Sequence, residues 1–520
     1  MQVSTTRRNV TRYALIAAFG GFVFGLDAAN ISGAMRYVSA LFGLSSTQAG
    51  LVASVPLVGV IFALFFTGML CDRFGRKRIL LAIAYTYLVS AALSAFAPSY
   101  EVLVLGRFIG GVAFASLTVS AMYIGEIAPA DQRGRFVSVS QLLITLGSLL
   151  AFIVNYFLVG WIDDVAMFTD QNIWRFMLGF EIIFNVIWIA ALYTIPKSPR
   201  WLISKGQDIE AREIFAKTLP EDQVAAVLAD VEQSVENETR TDVVVQLGKL
   251  FSRPMWYVLA VACIYAVVQG ATGMNAVLFF APTVFEQVGM TTEDTFFQTM
   301  ILGLVAVLGT LVAISLVEKW GRRTLTLLGL GLVVVAHTST WYGFNSATYE
   351  LNEASITQIT AADPEFETSR LDGLVGNVYE SDVELKTDLA SIYSLEELPL
   401  VSGAIIDSTI TIEPFFVLFG LFAFYAAFNM SIGPIMWVIF SELFPTSVRS
   451  VALPFVALVQ TISSYAITQA FPWQLENMGS ATTFLIFAVI GVIGLVAMYF
   501  LLPETKGKTI EQLEQELIRT

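Results

Sequence analysis

The apolar residues of this chain gather into runs long enough to cross the hydrocarbon of a bilayer, which takes about 20 residues in a helix. Twelve such runs fall at roughly 11–33, 47–70, 79–97, 102–126, 136–160, 174–195, 255–284, 297–317, 324–344, 414–440, 450–472 and 480–502. Backbone surrounded by lipid must satisfy its own hydrogen bonds, so each run is read as a helix. Only 14% of the residues are charged, against about 25% in a water-soluble chain. A polar stretch divides the runs six and six. The expected fold is an all-α membrane protein with an N-terminal six-helix lobe (1–195) and cytoplasmic linker helices (196–253). A C-terminal six-helix lobe (254–502) and a tail helix (503–520) follow.

The two halves share more than length. Asp72-Arg73-Phe74-Gly75-Arg76-Lys77, between runs two and three, has a relative in Glu318-Lys319-Trp320-Gly321-Arg322-Arg323, between runs eight and nine. Glu126 with Arg133 is matched by Glu442 with Arg449. Two motifs in the same order in each half argue for an internal duplication. The second half carries an insertion between its motifs, and it falls at 345–413, after run nine.

Lys and Arg set the orientation. An even helix count puts both termini on one side; with that side cytoplasmic, 24 of the 29 basic residues lie inside. Arg36, Arg370 and Lys386 lie outside, Arg175 near an outer helix end and Arg107 within the membrane. A multi-pass protein of the cell membrane is expected, with the bilayer as its surroundings. Arg7, Arg8 and Arg12 lead into a span too long for a cleavable signal. The net charge of −14 resides mainly in the insert, where residues 345–411 hold 13 acidic residues against two basic ones. That segment reads as a partly folded external cap. Cys71 and Cys263 sit on separate segments and read as free thiols, and His337 as a core histidine.

Ionisable residues inside a membrane span are costly and usually functional. Asp27 lies about 16 residues into helix 1, roughly 24 Å along its axis. Arg107 enters helix 4 from the outer side, and the two helices run in opposite directions. The acid and the base therefore share a depth, which suits an ion pair that protonation can break. Glu181 in helix 6 is a second intramembrane acid, read either as functional or as an acid facing a wet vestibule. Helix 7 carries Gln269-Gly270-Ala271-Thr272-Gly273-Met274-Asn275, a pattern for an interrupted helix lining a site. Its neutral amides suit a polyol better than an ion. Gly433-Pro434 should bend helix 10, and Trp437 beyond it reads either as a stacking surface or as a core residue.

Two homologous lobes facing each other make a central cavity around which they can rock. Asp72, Arg73, Arg76, Glu126 and Arg133 gather at helix ends on one lobe; Glu318, Arg322, Arg323, Glu442 and Arg449 do so on the other. Ion pairs among them are read as a cytoplasmic gate. No nucleophile–base pair, metal-ligand cluster, phosphate loop or nucleic-acid motif stands out. The reading is therefore not an enzyme, with no cofactor, no metal and no nucleic-acid partner.

These motifs, together with Glu126 to Gly134, Pro196–Leu202, Gly433–Trp437 and Pro503–Gly507, resemble the sugar porters of the major facilitator superfamily. The resemblance covers nearly the whole chain apart from the insert. It implies a monosaccharide held by Gln141, Gln269, Asn275, Trp437 and Gln460, flanked by Phe24 and Phe279. The acids matching Asp27 and Glu181, with the base matching Arg107, imply sugar:proton symport by a single chain acting as a monomer. A passive uniporter, a sodium-coupled carrier and a non-transporting sugar sensor are the alternatives. The chain departs from the family at Gly270 (a second glutamine there), Phe279-Phe280 (often tyrosines), Thr461 (often tryptophan), Ala306 (often asparagine) and Lys197 (glutamate). These departures leave the sugar open and point to a rearranged cytoplasmic ion pair.

Overall fold

The computed structural model describes residues 2–162, 164–219, 221–238, 243–362, 366–394, 398–508 and 510–518. Among the described residues, twelve helices are long and apolar enough to cross a membrane. Helices 1 to 3 run Gln2–Phe42, Ser46–Phe74 and Arg76–Ala95. Helix 4 is Tyr100–Ala113 and Ser116–Ile127, helix 5 is Ala130–Gly160, and helix 6 is Ile173–Gly179 and Glu181–Tyr193. Helix 7 is Trp256–Ala271 and Met274–Glu286. Helices 8 and 9 are Thr292–Trp320 and Arg322–Asn345. Helix 10 is Pro414–Met430 and Ile432–Leu443, and helices 11 and 12 are Thr446–Asn477 and Gly479–Leu501.

The duplication read from the loops extends to the packing. In the first lobe helix 1 packs on helix 5, helix 2 on helix 4, and helix 3 on helices 4 and 6. In the second lobe helix 7 packs on helix 11, helix 8 on helix 10, and helix 9 on helices 10 and 12. Between lobes, helix 2 meets helix 11 and helix 5 meets helix 8, each pairing the counterpart of the other. Small residues permit the closest approaches. A Cβ on Gly25 would lie 2.0 Å from the Ile144 carbonyl oxygen, and one on Gly147 would lie 2.1 Å from that of Phe22.

Two breaks shape the interior. Helix 7 stops at Ala271 and restarts at Met274, with Gly273 at φ +87 between them. Helix 10 breaks at Ser431 (φ −139, ψ −90), three residues before Pro434. The ring of Pro434 conflicts with the carbonyl four residues back, that of Met430, so the bend expected from Gly433-Pro434 falls just upstream of the pair.

The linker forms four short helices. Pro199–Ser204, Asp208–Thr218 and Glu221–Glu238 bury Trp201, Leu202, Phe215 and Val224 against the first lobe, while Val243–Leu250 packs on helix 11 of the second. The insert is more ordered than the expected partly folded cap. Strands β1 (Thr348–Glu350), β2 (Val378–Tyr379) and β3 (Ile410–Thr411) form an antiparallel sheet in the order β2-β1-β3. The insert has its own apolar core around Tyr349, Leu371, Tyr379, Leu385 and Ile405. Below, the face carrying both termini is the termini face, and the opposite face is the insert face.

Candidate functional site

Asp27, Arg107 and Glu181 come together from helices 1, 4 and 6. All three are almost wholly buried, at 4%, 1% and 2% exposure. The Arg107 Nη1 donates to Asp27 Oδ1 at 2.9 Å and to the Asp27 carbonyl oxygen at 3.2 Å. Glu181 lies against Asp27 and Asn30 and within the field of Arg107. Gly110 lets helix 4 approach helix 3 beside this pair, since a Cβ there would lie 2.6 Å from Ser90 Oγ. Among the described residues, Asp27 Oδ2, both Glu181 oxygens and the polar side-chain atoms of Asn30 and Asn185 have no hydrogen-bond partner. Such groups are expensive to bury unless something mobile, such as water or a proton, satisfies them. Asn30 and Asn185 were absent from the sequence reading. Their signal was available in their spacing, three residues from Asp27 and four from Glu181, which puts each on the same helix face as its acid.

The break in helix 7 forms a second site. Gln269 and Gln460 meet, with Gln460 Nε2 donating to Gln269 Oε1 at 2.8 Å and to Ser464 Oγ at 3.0 Å. Gly270 occupies the family's second glutamine position because helix 11 is too close for a side chain. A Cβ there would sit 2.8 Å from the Gln460 carbonyl oxygen and 2.9 Å from the Ser464 nitrogen. Gly273 is similarly pressed, with the Phe487 ring 2.8 Å from its would-be Cβ. Asn275, half-buried, opens the second half of helix 7. Phe279 is buried in the apolar core that the insert-side ends of both lobes share. Phe24 is half-buried with its ring on Phe114, and Gln141 is half-buried on helix 5. Trp437 is 45% exposed past the break in helix 10, which excludes the core reading. Thr461 is buried and bonds its own helix at the Ala457 carbonyl, and Ala306 is buried.

The two loop clusters each close within a lobe. Arg76 pairs with Glu126 at 2.9 Å and with Asp72 at 3.1 Å. Arg322 pairs with Glu442 and Glu318, both at 2.9 Å. Arg323 donates to the Tyr499 carbonyl at 2.7 Å, and Arg449 to that of Phe444 at 2.9 Å. Arg73 is exposed and lies over the Phe74 ring. The side chain of Arg133 lies outside the described residues. Lys197, the charge reversal noted in the sequence, pairs with Glu210 of the linker at 3.0 Å. Cys71 and Cys263 are free thiols.

Contact between the lobes gathers at the insert face. Arg36 pairs with Glu286, Ser54 donates to Gln469 Oε1 at 2.7 Å, and Gln469 Nε2 donates to the Thr47 carbonyl at 2.9 Å. A Cβ on Gly50 would lie 2.5 Å from the Gln469 carbonyl oxygen. This seal was not foreseen, because a contact between lobes leaves no periodic trace in either helix.

Comparison with known proteins agrees with this architecture. The profile of the family described as "Sugar (and other) transporter" matches residues 13–361 and 400–517. The chain belongs to the sugar transporter family. Among its curated relatives are the glucose transporter GlcP of Staphylococcus epidermidis, 29% identical over 97% of this chain and 96% of that protein, and the D-xylose-proton symporter of Escherichia coli K12, 29% identical over 96% and 94%. The partially occluded, inward-open structure of the E. coli xylose transporter XylE superposes with a TM-score of 0.72 at 26% identity, covering 96% of this sugar transporter and all of that chain. The fold is that of the major facilitator superfamily, and the protein is a multi-pass membrane transporter rather than an enzyme.

Proposed function

We propose that this transporter is a secondary active carrier that moves a monosaccharide together with a proton by alternating access. The observation that carries the reading is the buried Asp27–Arg107 ion pair with Glu181 beside it. Two carboxylates and one guanidinium leave one surplus negative charge in a dehydrated space, and a proton on one carboxyl removes it. Protonating Asp27 weakens its hold on Arg107, which frees helices 1 and 4 to shift against each other. The relatives named as proton symporters of xylose and arabinose support this reading.

Sugar binds between the lobes, where Gln269, Gln460 and Asn275 offer hydrogen bonds and Trp437 a flat apolar face, with Gln141 and Phe24 as further lining; Phe279, buried in the core, supports this surface from behind rather than flanking the sugar. The joined insert-face halves fit a state open toward the termini face. That face is cytoplasmic by the distribution of basic residues, in the cell membrane, and one chain suffices for transport. The two loop clusters act as the gate on that side, and the linker helices and insert are accessory to the lobes.

Uptake of labelled pentoses, hexoses and disaccharides into proteoliposomes, with and without an inward proton gradient, tests the proposal. Accumulation of one sugar only under the gradient supports symport. Equilibration of sugar regardless of pH would make the protein a uniporter. Binding without movement would make it a sensor.

A further inference from the structure

Two buried amides lead from the carboxyls of the first lobe toward the insert face. Asn30 lies three residues beyond Asp27, about 4.5 Å further along helix 1. It is 1% exposed and lies against Glu181. Asn155, near the insert-face end of helix 5, is also 1% exposed, and its Nδ2 reaches the Asn30 carbonyl oxygen at 3.5 Å. Among the described residues, neither amide atom of the Asn30 side chain has a hydrogen-bond partner, and neither does Asn155 Oδ1. An amide buried in this way is costly unless something small and polar satisfies it. Each amide offers both a donor and an acceptor, which is what a water molecule needs to be held and aligned. The charged groups around the inner end are Asp27 of helix 1, Arg107 of helix 4 and Glu181 of helix 6, and Tyr87 of helix 3 lies in their field.

The outer end of this polar file lies at the boundary between the lobes. Gly33, three residues past Asn30, meets both Asn155 and Phe296. A Cβ on Gly33 would lie 2.7 Å from Asn155 Cγ and 3.0 Å from the Phe296 ring. Phe296 is 1% exposed and stands near the insert-face start of helix 8, in the second lobe. The amides thus belong to one lobe, and the ring that covers them belongs to the other. Parting of the lobes at the insert face draws the ring off Gly33 and uncovers Asn155.

We propose that Asn30 and Asn155 hold the water through which a proton reaches the Asp27–Glu181 carboxyls from the insert face, with Phe296 as its lid, a route that rests on the proton-coupled reading above. The proton passes from water at Asn155 to water at Asn30 and then to a carboxylate oxygen. The amides stay neutral and only orient the water, so they are positioning residues. With the insert-face halves joined, the ring closes the file, and a bound proton is not returned to that side while the cavity opens to the other.

The test uses the full-length protein in proteoliposomes with a trapped pH dye. An imposed inward proton gradient is applied without sugar, so the proton itself is the probe. Phe296→Ala should leak protons about tenfold faster than the wild type. Adding Asn155→Leu to it should abolish the leak, and Asn155→Ser, whose hydroxyl can still hold water, should restore most of it. If Asn155→Leu does not fold, Asn30→Val takes its place, with the same loss expected. A Phe296→Ala protein as proton-tight as the wild type overturns the lid, and a leak that survives loss of the amide overturns the path. A second readout compares dye acidification driven by xylose, glucose and arabinose supplied together with counterflow of the same sugars. In Asn155→Leu alone the ratio of acidification to counterflow should drop about tenfold. An equal fall in both would make Asn155 a structural residue and overturn its role. Counterflow without acidification in the wild type would instead sink the symport reading, and the path with it.

Discussion

His337 Nε2 lies 3.0 Å from the carbonyl oxygen of Thr272, the residue just before the αL turn of helix 7. The imidazole is buried among the rings of Phe424, Phe484 and Phe487, and an Nε2–H tautomer donates to a carbonyl that the interrupted helix leaves over. The core histidine read from the sequence is thus also a strut under the turn that separates Gln269 from Asn275. His337→Leu should fill the space but release the turn, weakening sugar affinity about fivefold to tenfold. His337→Gln, whose amide can still donate, should recover most of that affinity. Equilibrium binding of the transported sugar to both variants, matched for melting midpoint, checks this.

The Asp27 pair carries a sharper expectation. Asp27→Asn keeps a hydrogen-bonding group beside Arg107 but cannot lose a proton. Sugar counterflow should continue, while uphill accumulation falls to the equilibrium level. For one proton per sugar that is a loss of about tenfold for each unit of the imposed pH gradient. Accumulation by the variant at the wild-type level would remove Asp27 from the coupling step.

Gly50 faces the Gln469 carbonyl so closely that its would-be Cβ lies 2.5 Å from that oxygen. Gly50→Leu should therefore hold helices 2 and 11 apart at the insert face and shift the population away from the sealed state. Spin labels on the insert-face ends of these helices should report a longer distance, and uptake should drop by about tenfold or more. An unchanged distance distribution would show that the seal tolerates the side chain.

Gly270 tests the explanation for the family departure. Gly270→Gln restores the residue expected from the resemblance but drives it into the backbone of helix 11. A loss of about 1–3 kcal/mol is expected, read as a lower melting midpoint and poorer yield, rather than an improved sugar site. A stable variant with tighter binding would mean that helix 11 yields easily.

Much of the fold was legible because lipid leaves a chain few choices. The twelve spans, the linker helices and the break at Gly273 follow from apolar length, polar periodicity and glycine chemistry. The matching depth of Asp27 and Arg107 could be read by counting residues along two antiparallel helices. What stayed hidden depends on tertiary contact. Strands of two or three residues such as Val378–Tyr379 carry no alternation to read. The burial of Glu181, the Ser54–Gln469 bond and the His337–Thr272 bond each need two helices brought together by the fold. The glycine at 270 reads as a departure from the family in one dimension and is a packing requirement in three.

Among the described residues, the insert is anchored to the second lobe at several points. β1 follows helix 9 and β3 precedes helix 10, while Lys386 pairs with Asp382 and donates to the Glu476 carbonyl at the end of helix 11. Asp382 in turn crowds Gly479, where helix 12 begins. A compact body fastened to one moving part behaves as a pointer on a dial. As the second lobe tilts, the tip of the insert sweeps a longer arc than the helices beneath it. A dye there and another on the 96–99 turn of the first lobe would turn a small angular change into a readable distance.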